Sequence, residues 1–184
     1  MAVKRQDALD LLFEYTKTDS LRKHALAVEA AMRAYARKNG QDEEVWGAAG
    51  LLHDFDYEMY PQFPEHPTKG SEILKEKGYP EDFRNAILGH VPQMGVPRDT
   101  LMAKTLFACD ELCGFVYAVA VIRPTKISDL TVSSVKKKLK DKAFARAVNR
   151  DEIYHGAEEL QVNLDEHIQF VIEAMKGASA QLGL

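Results

Sequence analysis

All seven prolines of this chain lie between positions 61 and 124. Proline has no amide hydrogen and its ring collides with the preceding helical turn, so helix interiors exclude it. Both ends of the chain are therefore open to long helices, while the middle must consist of short helices and loops. Apolar residues recur at spacings of three and four, as in the stripe Leu21, Ala25, Val28, Met32 and Tyr35. No run shows the sustained alternation of a half-buried strand. The fold class read from this pattern is all-α, a helical bundle.

Start and stop signals divide the bundle. They predict helices over 4–15, from Ser20 to Asn39 with Gly40 as the stop, and from Asp42 to His53. A proline-rich loop, Phe55 to Pro67, separates these from short helices over Thr68–Lys77 and Pro80–His90. A long apolar helix follows from Asp99 to Val121, then a helix over 130–148 and two more near 151–160 and 165–176. At 184 residues the chain suits one domain of about 150 residues, with no repeat or linker to mark a second. The expected division is a core at about 20–125 with helices of 126–184 packed on it.

Composition narrows the partners. Twenty-four Lys+Arg against 28 Asp+Glu leave a net charge of −4, which argues against nucleic acid as the main partner. The most apolar window, Leu101 to Ile122, carries Lys104, Asp110 and Glu111, so it reads as a buried helix and not a membrane span. Cys109 and Cys113 stand in that window with no secretory signal ahead of them, which points to reduced thiols in a cytoplasmic protein.

Chemistry is expected where a polar residue breaks the apolar pattern without leaving the buried face. Asp110 has Leu106, Phe107, Cys113 and Gly114 one turn away on either side. A buried, unpaired carboxylate costs on the order of 3–5 kcal/mol, which a metal cation or a buried Arg would offset. Taken alone, Asp110 is more simply a salt-bridge partner or an outward residue beside Glu111. His24 shares its face with Leu21, Val28 and Ala31, and His53 and Asp54 stand together at the end of the third helix. His66 opens the fourth helix and His90 closes the fifth on the face of Phe83, Ala86 and Ile87, whereas His155 and His167 read as surface residues. One inward histidine is usually a hydrogen-bonded core residue; four of them with two aspartates suit a catalytic transition metal, Mn, Fe, Co, Ni or Zn.

The order His24, His53-Asp54, His66, His90, Asp110, with gaps of 29, 1, 12, 24 and 20 residues, resembles the HD-domain superfamily. LRKHALAV, AAGLLHDFDYE, HPTKGSEIL, AILGH and LFACDEL carry the likeness, over about residues 20–125. It implies a single HD-type domain with one or two divalent metals. His24, His53, Asp54 and Asp110 would hold the first, and Asp54, by bridging, with His66 and His90 the second. The glycine and lysine that follow the His-Asp doublet in better-known subgroups are replaced here by Asp56, Tyr57 and Glu58. Glu58, or Asp56, is then the candidate to orient or deprotonate the attacking water beside the catalytic Asp54, a solvated loop carboxylate being the alternative.

Arg123 and Lys126, just past the Asp110 helix, are candidates for a substrate phosphate, although a cation at a helix C-terminus has a plainer role against the dipole. The lysines from Lys136 to Lys142 read most simply as a solvated face. The implied activity is a metal-dependent phosphohydrolase acting on a nucleotide-like or other small phosphate ester through metal-activated water. A di-iron HD-type oxygenase and a non-catalytic nucleotide-binding module remain as alternatives.

Overall fold

The computed structural model describes residues 3–184. Among them the regular structure is entirely helical: α1 (Arg5–Tyr15), α2 (Asp19–Lys38), α3 (Glu43–Leu52), α4 (Glu65–Glu76), α5 (Glu81–Gly89), α6 (Leu101–Val121), α7 (Val132–Leu139), α8 (Arg150–Glu159), α9 (Leu164–Gly177) and α10 (Ser179–Leu182). The all-α reading is correct. No described helix is long and apolar enough to cross a membrane.

Helix boundaries follow local chemistry. The Asp42, Asn149 and Asn163 side chains each accept two amide hydrogens at the starts of α3, α8 and α9, and Thr100 caps α6 through the Ala103 amide. Gly40 and Gly78 take positive φ just past α2 and α4, where a residue with a Cβ would be strained.

α6 is the central rod, buried along most of its length and packed by α2, α5, α8 and α9. Two close crossings set the geometry. A Cβ on Gly50 would lie 2.8 Å from the Glu29 backbone, so α3 can approach α2 only with glycine there. Likewise, a Cβ on Gly156 would stand 2.6 Å from the Ala108 Cα, which brings α8 against α6 two residues before Asp110.

Three expectations are corrected. The helix over 130–148 stops at Leu139, and residues 140–148 form turns, with Ala145 at positive φ. The Arg150 guanidinium holds this segment by donating to the carbonyls of Asp141, Phe144, Ala145 and Val148, so peptide groups that lack helical partners are satisfied by one side chain. α4 begins before Pro67 with a kink at His66, whose ψ of 131° is the extended conformation a following proline imposes. His167 is a core residue, only 1% exposed. Its Nε2 donates to the Ala108 carbonyl at 2.9 Å and its Nδ1 accepts from the Tyr35 hydroxyl at 2.7 Å. Burial lowers its pKa and keeps it neutral. Cys109 and Cys113 are buried, free thiols.

Candidate metal centre

Five elements deliver the candidate ligands to one place. His24 comes from the second turn of α2, His53 and Asp54 from the end of α3, His66 and His90 from the start of α4 and the end of α5, and Asp110 from the middle of α6. His24 Nε2 lies 3.0 Å from Asp110 Oδ1 and 3.1 Å from His53 Nε2. His53 Nε2 is 3.4 Å from Asp110 Oδ1 and 3.5 Å from Asp54 Oδ2. The other oxygen of the same carboxylate, Asp54 Oδ1, stands 3.1 Å from His90 Nε2 and 3.2 Å from His66 Nε2. Asp54 therefore turns one oxygen to each of two donor groups.

These separations suit metal ligation. Donors held about 2.0–2.2 Å from one ion stand about 3.0–3.5 Å apart when the angle between them lies between octahedral and tetrahedral values. Two groups of residues, His24/His53/Asp54 and Asp54/His66/His90, could each hold an ion, and Asp110 adds a carboxylate to the first.

Three imidazoles are pre-set to present Nε2. His53 Nδ1 donates to the Gly50 carbonyl at 2.8 Å, which its place one residue past α3 makes available. His90 Nδ1 donates to the Ile87 carbonyl in the same way at the end of α5. His66 Nδ1 instead meets Asp56 Oδ1 at 2.8 Å, while Asp56 Oδ2 accepts the Gly70 amide at 2.7 Å. Partners of this kind fix the tautomer and raise the basicity of the ligating nitrogen. Gly70 is part of the arrangement, because a Cβ there would fall 2.8 Å from Asp56 Cγ.

The cluster is electrostatically self-contained. Burial works against the Asp54 charge, but His53, His66 and His90 hold its pKa well below the usual carboxylate range. Asp110 is likewise lowered, against its own burial, by His53 and His24. Burial pulls His66 down, yet its bonds to Asp54 and Asp56 prevail and raise it to about 9. Asp110 is thus partnered by imidazoles and not by a buried Arg.

A cavity of about 290 Å³ opens above this floor. Tyr57, Gln93, Glu111 and Glu152 form part of its wall. Burial, with the nearby Asp110 charge, raises Glu111 to about 8 and pushes Glu152 up in the same sense. Asn149 steadies both glutamates: its amide donates to Glu111 Oε2 at 3.1 Å and its side chain to Glu152 Oε1 at 2.6 Å. No pattern in the sequence marks Glu152, which reaches the cavity only because α8 crosses α6 at Gly156.

Several candidates lie elsewhere. The Glu58 carboxylate accepts the Lys17 and Thr18 amides at 2.7 and 3.0 Å, tying the loop after the doublet to the entry of α2, and it does not line the cavity. Asp56 is 1% exposed and engaged with His66 and Gly70, so it orients a histidine and does not meet a water in the cavity. Arg123 pairs with Asp129 at 2.7 Å and Lys126 Nζ caps the Val121 carbonyl at 3.3 Å. α6 runs on for about 16 Å beyond Asp110 at 1.5 Å per residue, which carries both cations away from the cavity. In the lysine run, Lys136 pairs with Asp165 and Lys138 with Asp141 on the surface, outside this cavity.

Searches of curated proteins and of solved structures return no significant match to the chain. A family model, the HD domain, matches residues 21–114, from the start of α2 to the middle of α6. That stretch is just over half of the chain and contains all six converging residues. The chain belongs to the HD-domain family.

Proposed function

We propose that the protein is a metal-dependent phosphohydrolase that cleaves a small phosphate ester or nucleotide-like substrate. One observation carries this reading: two donor groups share Asp54 at the floor of an open cavity. The HD family is mostly one of metal-dependent hydrolases, which agrees. A divalent ion bound there supplies a Lewis acid for phosphoryl oxygens and lowers the pKa of water toward neutrality.

The chain's own residues supply orientation and charge. His53, His66 and His90 are locked by Gly50, Asp56 and Ile87, so the donor set is assembled before any ligand arrives. Asp54 and Asp110 stay ionised through the neutral range. Tyr57, itself edge-on to His66, and Gln93 offer hydrogen-bonding groups at the wall where a substrate would lie.

The test is phosphate release under argon by manganese-loaded protein from a panel of phosphate esters. Turnover without oxygen is expected, as is a fall of more than about a hundredfold in Asp54→Ala and Asp110→Ala. Strict dependence on iron and dioxygen, with no phosphate released, overturns the reading in favour of an oxygenase.

A further inference from the structure

Outside the candidate ligands, the wall of the cavity consists of Tyr57, Val91, Pro92, Gln93, Glu111 and Glu152, with no Lys or Arg among the described residues. Glu111 and Glu152 add no positive charge in either protonation state, and each is already engaged by Asn149. The side-chain donors that need no added proton are the Tyr57 hydroxyl and the Gln93 carboxamide. Tyr57 is 41% exposed with its ring edge-on to His66 at 5.3 Å, and neither its hydroxyl nor the Gln93 carboxamide bonds to a described residue. Local structure sets both in place. The Tyr57 amide donates to the Asp54 carbonyl at 3.0 Å, so one turn carries the shared carboxylate and the hydroxyl. Gln93 lies in the short turn Pro92–Met94, where the Met94 amide donates to the Val91 carbonyl at 3.0 Å. Tyr57 follows Asp54 by three residues and Gln93 follows His90 by three, so each donor stands one turn past a member of the second donor group.

We propose that the pocket takes a single phosphoryl group, that of a phosphomonoester, and that Tyr57 and Gln93 receive the phosphoryl oxygens turned away from the donor groups. This assignment of substrate class rests on the phosphohydrolase reading. Charge sets the limit of one phosphate. Two divalent cations held against the Asp54 and Asp110 carboxylates leave a surplus of about two positive charges, which one phosphomonoester dianion offsets. A diphosphate or triphosphate brings further negative charge into a cavity whose wall has no guanidinium or ammonium to meet it. Neutral donors suit that balance, because an O–H or N–H bonds an anionic oxygen without adding charge. Tyr57 and Gln93 are thereby specificity-determining residues, placed beside ligands in the chain without being ligands themselves.

The experiment compares ethyl phosphate with ethyl diphosphate in the parent protein, Tyr57→Phe and Gln93→Leu. Binding to manganese-loaded protein is measured by calorimetry at one fixed free manganese concentration, and phosphate release is followed in parallel. Ethyl phosphate is expected to bind the parent at least about tenfold more tightly than ethyl diphosphate. Phenylalanine keeps the ring against His66 and removes only the hydroxyl, so Tyr57→Phe should hold manganese as the parent does and lose about tenfold or more in affinity for ethyl phosphate. Gln93→Leu should show the same pair of results. Parental affinity for ethyl phosphate in either variant, ethyl diphosphate bound as tightly as ethyl phosphate, or no binding of either ester overturns the proposal. A fall in manganese affinity equal to the fall in ester affinity also overturns it, since the two side chains would then support the metal centre and not the phosphate. Selective binding without phosphate release refutes the hydrolase reading while leaving the recognition intact. Phosphate release without selectivity does the reverse.

Discussion

Alanine in place of Gly70 is expected to weaken both the fold and the second donor group, although in an ordinary helix interior the same change stabilises by about 1 kcal/mol. The new Cβ would stand 2.8 Å from Asp56 Cγ and 2.9 and 3.0 Å from its two oxygens. Carbon atoms in comfortable contact need about 3.5–4.0 Å, so the carboxylate must retreat by close to an ångström. A shift of that size stretches both of its bonds, to His66 Nδ1 at 2.8 Å and to the Gly70 amide at 2.7 Å, beyond hydrogen-bonding range. Hydrogen bonds to a charged group are worth about 1.5–3 kcal/mol each; after the helix gain, the net loss comes to roughly 2–5 kcal/mol. In a chain of this size that lowers Tm by about 4–20 °C. His66, freed from its orienting partner, should also bind metal less well, by about 10–100-fold. Scanning calorimetry and metal titration read the two effects separately. Gly177→Ala, at the end of α9 with nothing within 4 Å of its would-be Cβ, serves as the control that should not lose stability. A Gly70→Ala protein that melts at or above the parent temperature and binds the same metal with the same affinity would refute the steric argument.

Chelation should lower the melting temperature of the metal-loaded protein. At one hundred times the dissociation constant, a bound ion adds about 2.7 kcal/mol, or roughly 5–11 °C here, and identical melts with and without chelator count against the two donor groups. pH should move the metal-free and metal-loaded forms in opposite directions. His66 is raised from 6.5 to about 9 without metal, so its contribution to stability is full below pH 6.5 and is lost as pH rises through about 9. Metal needs the neutral imidazole, so its affinity should climb across that same window with release of protons, detectable as a buffer-dependent binding enthalpy; affinity independent of pH would contradict this. Glu58→Gln should lower Tm while leaving metal stoichiometry and turnover unchanged, because its carboxylate holds the Lys17 and Thr18 amides and not a water in the cavity; loss of turnover in a protein that melts normally would restore it as a catalytic base.

Periodicity and proline placement were enough to read an all-α chain, because burial of one helical face forces apolar residues into a spacing visible along the sequence. His24 and Asp110 stood out for the same reason, being polar positions on stripes whose neighbours are apolar. Their convergence with His53, Asp54, His66 and His90 agrees with an order of residues that already suggested a common site. What lies opposite a face is a different matter, since periodicity says that a position is covered and not by what. His167 looked like a surface residue on a polar helix and is buried against Tyr35 and Ala108. Asp56 and Glu58 sit two residues apart in one loop and read alike, yet one orients His66 and the other anchors the start of α2. The run 140–148 has helix-compatible residues, but the Arg150 guanidinium donates to its carbonyls and satisfies them without a continued helix. Glu152 enters the cavity because Gly156 lets two helices touch at Ala108, a contact between residues 48 positions apart. Faces are set by neighbours three and four residues away, whereas partners across the bundle are set by which backbones can approach, and that depends on the whole packed structure at once.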